Sequence, residues 1–238
     1  MIKKILKQFL ISELGTRLYN HMNIRNHFHV DKHNTCILKG LLNTVEISIK
    51  GKDNRIEIEC GSILSRCTIK VYGNNNNIHI DSNCKIHGGS FWVEDDYGSI
   101  LIAENTTISG RTEFACIEGK RIIVGKDCMF SRNIRIVTGD SHSIINNLGE
   151  RINPSKNITI GDHVWVGNRT TISKGTVIPS ESIVASNSLV NKDFTNAGSC
   201  CMIAGIPATI VKYGVKRVWD SKEELELDKK FEYHRTLL

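Results

Sequence analysis

Apolar and polar residues alternate in short runs along most of this 238-residue chain, and the runs recur at a fixed interval. NRIEIECGSIL from Asn54, NNIHIDSNCKI from Asn76, GSILIAENTTI from Gly98, KRIIVGKDCMF from Lys120 and KNITIGDHVWV from Lys156 align without gaps. The first four units start 22 residues apart, and the fifth starts 36 residues after the fourth. One aliphatic column holds Ile56, Ile78, Ile100, Ile122 and Ile158; a second, two residues on, holds Ile58, Ile80, Ile102, Val124 and Ile160. Six residues further on come Leu64, Ile86, Ile108, Phe130 and Val166. Alternation of this kind means short strands with one face inward. The step of six means that a new strand begins after each corner. A third apolar pair, Ile69 with Val71, Phe91 with Val93, Phe114 with Cys116 and Ile134 with Ile136, supplies a third side, although its register drifts by about a residue. Three strands per turn predict a triangular coil, and stacked coils bury an aliphatic face that no single unit buries alone.

After Ile160 the period tightens: Ile160, Val166, Ile172, Ile178, Val184 and Val190 step by six, giving two coils of 18 residues. Upstream coils carry a few extra residues at one corner, in GKDN, GNNN and DDYG. Such residues form turns and tolerate positive φ. Cys84 and Cys128 share a column with Ser62 and Thr106, which reads as a ladder of small side chains. A structural role follows for these thiols.

The stretch from 22 to 36 residues falls at that same corner, in TGDSHSIINNLGERINPSKN, residues 138 to 157. Long polar loops in compact folds are disproportionately functional; the competing reading is an arm that swaps onto a neighbouring subunit. The loop holds Asp140, Ser141, His142, Glu150, Arg151 and Pro154. Trp165 lies between the inward positions of Val164 and Val166, so alternation points it outward, where it exposes apolar surface unless something covers it. His163 falls at the adjoining corner.

Ile2, Ile5, Leu6, Phe9, Leu10 and Leu14 recur at helical spacing, predicting an amphipathic helix over residues 1–20. It is too short and too charged to span a bilayer. It caps the end of the core or rests on a membrane surface. The absence of a cleavable leader pattern predicts a cytoplasmic protein. Eight cysteines without a secretion signal then read as reduced thiols. A formal charge of +6 favours an anionic partner, while few aromatics and no binding motif argue against nucleic acid. HMNIRNHFHVDKH, residues 21 to 33, is rich in histidine, but it lacks cysteine partners or helical His spacing, so no metal is expected. The tail, residues 213–238, contains SKEELELDKKFEY, a charged capping helix led by Ser221 and Glu224.

The hexapeptide pattern, with GDHVWVG as its clearest unit, resembles the left-handed parallel β-helix of the hexapeptide-repeat acyltransferases. The handedness comes from the resemblance; the general crossover rule favours the other hand. A loop His followed 23 residues later by the Trp of IGDHVWVG resembles the acetyl-coenzyme A-dependent O-acetyltransferases of the galactoside, maltose and xenobiotic group, over about residues 120–212. The long upstream stack and TGDSHSI further resemble bacterial O-acetyltransferases of surface polysaccharides, including sialic acid capsules.

The resemblance implies an all-β chain, with a left-handed parallel β-helix over residues 21–212, an active-site loop at 138–155, an N-terminal helix and a C-terminal helical tail. It also implies acetyl-CoA as co-substrate, a homotrimer with active sites between subunits, and a polysaccharide or sugar acceptor. A neutral imidazole suits the chemistry, because the acceptor hydroxyl must lose a proton as it attacks the thioester. His142 is the expected base, with His163 the second candidate. Asp140 either orients its ring or merely forms a turn. Arg151 and Ser141 are the expected acceptor contacts, and Trp165 belongs to the cleft. For the donor, ASNSLVNKDFTNAGSCCMIAGIPATIVK resembles the coenzyme groove: Ala185, Lys192, Gly205, Pro207 and Ala208 keep the pattern, with Gly167 and Lys212 beside them. Ser186, Asn187, Ile206 and Thr209 depart from it. Three alternatives stay open: transfer to a small acceptor such as a sugar, an antibiotic or serine; a non-catalytic scaffold; and a zinc prism, for which no His set occupies matching columns.

Overall fold

The computed structural model describes residues 13–218 together with residues 223, 224, 226 and 227. Its strands wind into stacked coils with three sides. On the first side, Thr35–Leu38, Arg55–Ile58, Asn77–Ile80, Ser99–Ile102, Arg121–Val124, Ile158–Ile160 and Val177–Ile178 form a seven-stranded parallel sheet. The second side includes Lys85–His87, Thr107–Gly110, Met129–Arg132, Trp165–Val166 and Ile183–Val184. The third includes Gly89–Glu94, Thr112–Cys116, Arg135–Val137, Thr171–Ser173 and Leu189–Val190. These two sides count as one sheet because the ten-residue strands Leu41–Lys50 and Ile63–Tyr72 run through the corner between them.

The register follows the columns read from the sequence on two sides. Ile56, Ile78, Ile100, Ile122 and Ile158 are successive partners, and so are Leu64, Ile86, Ile108, Phe130 and Val166. The third side needs a correction. Phe114 pairs with Ile136 rather than Ile134, which is buried at the preceding corner. The cause is the corner itself: Ile134 is apolar and buried there, so it mimics the first inward position of the strand, while the step into the third side grows from five residues, Ile86 to Phe91, to six, Ile108 to Phe114 and Phe130 to Ile136. Inside, Phe91 stacks on Phe114 with centroids 5.0 Å apart, and Phe114 tilts against Phe130.

Both ends of the stack are covered. Helix α1, Glu13–Met22, lies over the first coil. The expected amphipathic helix therefore continues two residues beyond residue 20, while its first twelve residues, with Ile2, Ile5, Leu6, Phe9 and Leu10, lie outside the described residues. The buried face of α1 is not the expected apolar one: Leu14 and Leu18 are exposed, whereas Thr16 and Asn20 are buried. Asn20 caps the rim, its Nδ2 donating to Gly40 O at 2.8 Å and its Oδ1 accepting from Leu42 N at 2.9 Å. At the other end, strand Cys201–Gly205 turns at Gly205–Ala208 into Ala208–Tyr213, which runs back antiparallel. This reversal replaces the simple passage from coil to helical tail at residue 213. Glu223, Glu224, Glu226 and Leu227 are helical; Ser221 lies outside the described residues. Among the described residues no helix is long and apolar enough to cross a membrane.

Two side-chain ladders tie the corners. Ser62 Oγ donates to Asp81 O and accepts from Cys84 N; Thr106 Oγ1 does the same for Gly125 O and Cys128 N. Burial pushes the Cys84 thiol up to about 11 and that of Cys128 to about 12, so both stay protonated and unreactive. At the insertion corner Asn54 and Asn76 stack. Asn76 Nδ2 donates to Asp95 O at 2.9 Å, and its Oδ1 accepts from Gly98 N at 2.7 Å. Asn76→Ala strands both backbone groups in a buried place, so a loss of about 2–4 kcal/mol is expected from two unsatisfied partners. Denaturant unfolding followed by circular dichroism measures it; a loss below about 0.5 kcal/mol, the range of an inert surface change, contradicts the ladder's role.

Candidate active site

The loop leaves the corner between the third and first sides, between Arg135–Val137 and Ile158–Ile160. Its root has no space for a side chain: a Cβ on Gly139 would lie 2.1 Å from Ser155 Oγ and 2.7 Å from Ile117 Cδ1. Ile145 and Arg151 form an antiparallel bridge, and Ile152 N donates to Ile144 O at 2.8 Å, so the loop folds on itself as a hairpin. One anchor is Glu118, in the preceding coil, whose carboxylate accepts from Arg151 Nη2 at 2.5 Å and Ser155 N at 3.1 Å. The other is Lys174, in the following coil, which donates to Asp140 Oδ2 and to Asn153 O.

Asn153, 7% exposed, is the hub of the loop. Its Nδ2 donates to Asp140 Oδ2 and to His142 O, both at 2.8 Å, and its Oδ1 accepts from Ile144 N at 2.7 Å. Asp140 therefore reaches His142 through Asn153 and the backbone, and its carboxylate is bonded to Lys174 and Asn153 rather than to the imidazole. The ammonium of Lys174 first, and the amide of Asn153 second, hold the Asp140 carboxyl below its usual range. The Arg151 guanidinium does the same for Glu118. His142 is exposed, and neither ring nitrogen has a partner among the described residues. Ser141, with φ at 64°, turns the chain just before it.

Trp165 stands on the second side, 37% exposed, in an outward column with Met129 before it and Ile183 and Met202 after it. This side faces the corner that carries the loop across the full width of the triangle. Among the described residues, the side-chain bonds between the loop and the coils go to Ile117, Glu118, Arg121 and Lys174, all at that corner. A single chain thus does not bring His142 and Trp165 together.

Of the residues expected at the donor groove, Gly167 and Ala185 stack at the end of the second side, Gly167 N donating to Val184 O and Ala185 N to Ile203 O. A Cβ on Gly167 would meet Ser186 N at 2.6 Å. Gly205 joins this corner through Ser188 Oγ, with Pro207 exposed in the turn after it. Lys212 pairs with Met202 at the edge of the apolar column. Beside Gly167, the Oδ1 of Asn168 is a buried acceptor without a partner among the described residues. Lys192 lies elsewhere. The pairing of Ile172 with Val190 puts it below Lys174, at the corner of the loop.

His163 is set between two carboxylates, with Nδ1 2.8 Å from Glu181 Oε1 and Nε2 3.3 Å from Asp127 Oδ2. Both nitrogens face fixed partners, unlike those of His142. Among the described residues no group of three or more His, Cys, Asp or Glu is placed to hold a metal. Glu118, Asn153 and Lys174 were not singled out from the sequence. The one signal for them is register, since Glu118 and Lys174 occupy the insertion corner in the coils on either side of the loop.

No protein-family model matches the chain. It is similar to the polysialic acid O-acetyltransferase of Neisseria meningitidis, with 33% identity over 139 residues, covering 50% of this chain and 65% of that protein. The chain spans between about half and two thirds of the length of the curated relatives it matches. Among solved structures, the polySia-specific acetyltransferase NeuO superposes with a TM-score of 0.73 at 29% identity, covering 87% of this chain and 93% of that one. The polysialic acid O-acetyltransferase OatWY superposes with a TM-score of 0.53 at 30% identity, covering 79% and 99%. With this identity over nearly the whole of a solved relative and the coil architecture in common, the chain belongs to the polysialic acid O-acetyltransferase family of hexapeptide-repeat proteins.

Proposed function

We propose that this protein transfers an acetyl group from acetyl-CoA to a hydroxyl of a bacterial surface polysaccharide, a sialic acid polymer or a glycan like it. The observation that carries this reading is His142, an imidazole with both nitrogens uncommitted on a loop whose backbone is locked from both sides, in a chain of this family. The neutral ring accepts the hydroxyl proton as the oxygen attacks the thioester carbonyl. The tetrahedral intermediate collapses, the C–S bond breaks, and the imidazolium returns its proton to the leaving thiolate. The new ester and free coenzyme complete the exchange.

Two features suit the donor. The column of Met129, Trp165 and Met202 offers partly exposed apolar surface to the pantetheine arm, and the tight corner of Gly167 and Ala185 lies beside it. Because this column and the His142 loop lie on opposite flanks of one prism, the site is completed between two chains of a homotrimer. Lys192, at the loop corner, then meets the coenzyme from the neighbouring chain. Arg151 acts on the acceptor only indirectly, since Glu118 holds it in the loop anchor; Ser141 faces the acceptor directly. The protein works in the cytoplasm, where acetyl-CoA is made, with the N-terminal helix available to the membrane surface.

His142→Ala is expected to lower kcat by about 10²–10⁴-fold, the usual contribution of a positioned base, with circular dichroism and oligomeric state unchanged. Full activity in steady-state assays of that variant contradicts the assignment.

Lys174→Met tests the lock. It is expected to lower kcat by about ten- to a hundredfold through misplacement of His142, and to speed tryptic cleavage after Arg151. The carboxyl of Asp140 is depressed in the folded chain, so its contribution to the lock is complete above the unfolded pKa and is lost as pH falls through the folded one. Wild-type loop protection should therefore persist at mildly acidic pH and fail only below the ordinary carboxylate range. Equal cleavage rates for variant and wild type at pH 7 would show that the salt bridge does not hold the loop.

A further inference from the structure

The third side carries a pair of aromatic residues that the transfer chemistry does not use. Tyr72 and Trp92 point outward on successive coils, with ring centroids 4.8 Å apart and planes at 46°. Lys50 Nζ lies 5.3 Å from the Tyr72 ring. Trp92 Nε1 donates to Glu94 Oε2 at 3.1 Å, which fixes the indole against the sheet. In the column of Trp92 the next two coils place Ala115 and then Val137. These smaller side chains leave a groove of about 240 Å³, with Trp92 at one end and Gly139 and Ser141 of the loop at the other. Arg135 flanks it. Its Nε donates to Glu113 Oε2 at 3.1 Å, and its two terminal nitrogens have no partner among the described residues.

The geometry points to this groove as the acceptor subsite, holding an extended carbohydrate chain whose C–H faces stack on Trp92 and whose carboxylate meets Arg135. The inference deepens the proposed transferase reading and rests on it. A fixed indole offers broad apolar contact at low entropic cost, and the guanidinium fork matches a carboxylate bidentately. Of the two acids on the flank, Glu113 is paired with Arg135, while Glu94 accepts from the neutral indole N–H and keeps its charge; Arg135 is the lining cation and offers its terminal nitrogens to a ligand. Coils stack about 4.8 Å apart, so the track from Val137 up to Lys50, four steps, is ~19 Å long. That accommodates several sugar residues. The lower end of the track abuts Ser141, the neighbour of His142, which brings one residue of the bound polymer to the catalytic loop.

The test uses the full chain with fluorescently labelled polysialic acid and with the same polymer after its carboxyls are reduced to alcohols. Trp92→Ala should raise both Kd and KM for polysialic acid about tenfold, equivalent to about 1.4 kcal/mol, leaving the acetyl-CoA KM and the oligomeric state unchanged. Trp92→Phe should recover most of the loss. Arg135→Gln should abolish the preference for the carboxylate form. Unchanged Kd and KM in Trp92→Ala overturn the subsite while leaving transfer intact. Dissociation of the oligomer in Trp92→Ala and Trp92→Phe also overturns it, because the face would then be an interface between copies. Polymer binding weakened by Trp92→Ala in a chain that transfers no acetyl group keeps the subsite and removes the transferase reading.

Discussion

Each coil of the prism leaves a row of backbone N–H and C=O groups on either rim, and only the coils above and below can satisfy them. The register between coils is therefore strict along the sides. Ile56, Ile78, Ile100, Ile122 and Ile158 stay in one column through both the 22-residue spacing and the 36-residue step. Corners are under no such demand. There the chain carries positive-φ residues such as Asp127, His163 and Glu181, and one corner holds the Asn54 and Asn76 ladder and, further along, the long loop. The candidate site lies at the place where length can change without shifting a strand.

The same constraint explains how a mobile-looking insertion becomes a rigid one. Glu118 and Lys174 belong to coils on either side of the loop, and the stacking that aligns their corner brings both within reach of residues 140–155. Asn153 then gathers Asp140, the backbone of His142 and that of Ile144 onto a single amide. A base works when its position is settled before the substrate arrives, and in the proposed role of His142 its bonded backbone supplies that position while its ring is left free. The opposite arrangement at His163, both nitrogens engaged by carboxylates, fastens a corner instead.

The sequence discloses the sides of this prism better than its corners. Alternation and the step of six place the first two sides correctly because inward positions repeat with no change in spacing. The third side slipped at Ile134 and Ile136, because Ile134 is an apolar residue buried at the corner and reads as the first of the inward pair, while Arg111, gained after Gly110, leaves no hydrophobic mark. His142 and Trp165 were readable for opposite reasons, one as an interruption of the pattern and the other as an aromatic residue out of phase with burial. Asn153, Glu118 and Lys174 were not, since each is an ordinary polar residue until stacking supplies its partners. Trp92 was hidden likewise: it lies outward next to the inward Phe91 and Val93, and the groove beside it exists only because Ala115 and Val137 fall below it. The antiparallel return at Ala208–Tyr213 carries no periodic signal at all.

The placement of the His142 loop and the Trp165 column on opposite flanks of one chain makes a shared site the central claim, and subunit mixing tests it directly. Chains carrying His142→Ala and chains carrying Trp165→Ala, each inactive alone, are unfolded together, refolded at equal ratio and assayed for acetyl transfer. Random assembly of a cyclic homotrimer with one His and one Trp from adjacent chains in each site restores about a quarter of wild-type activity. If the mixed oligomers form and stay as inactive as the parent variants, both residues act within one chain and the shared site is wrong.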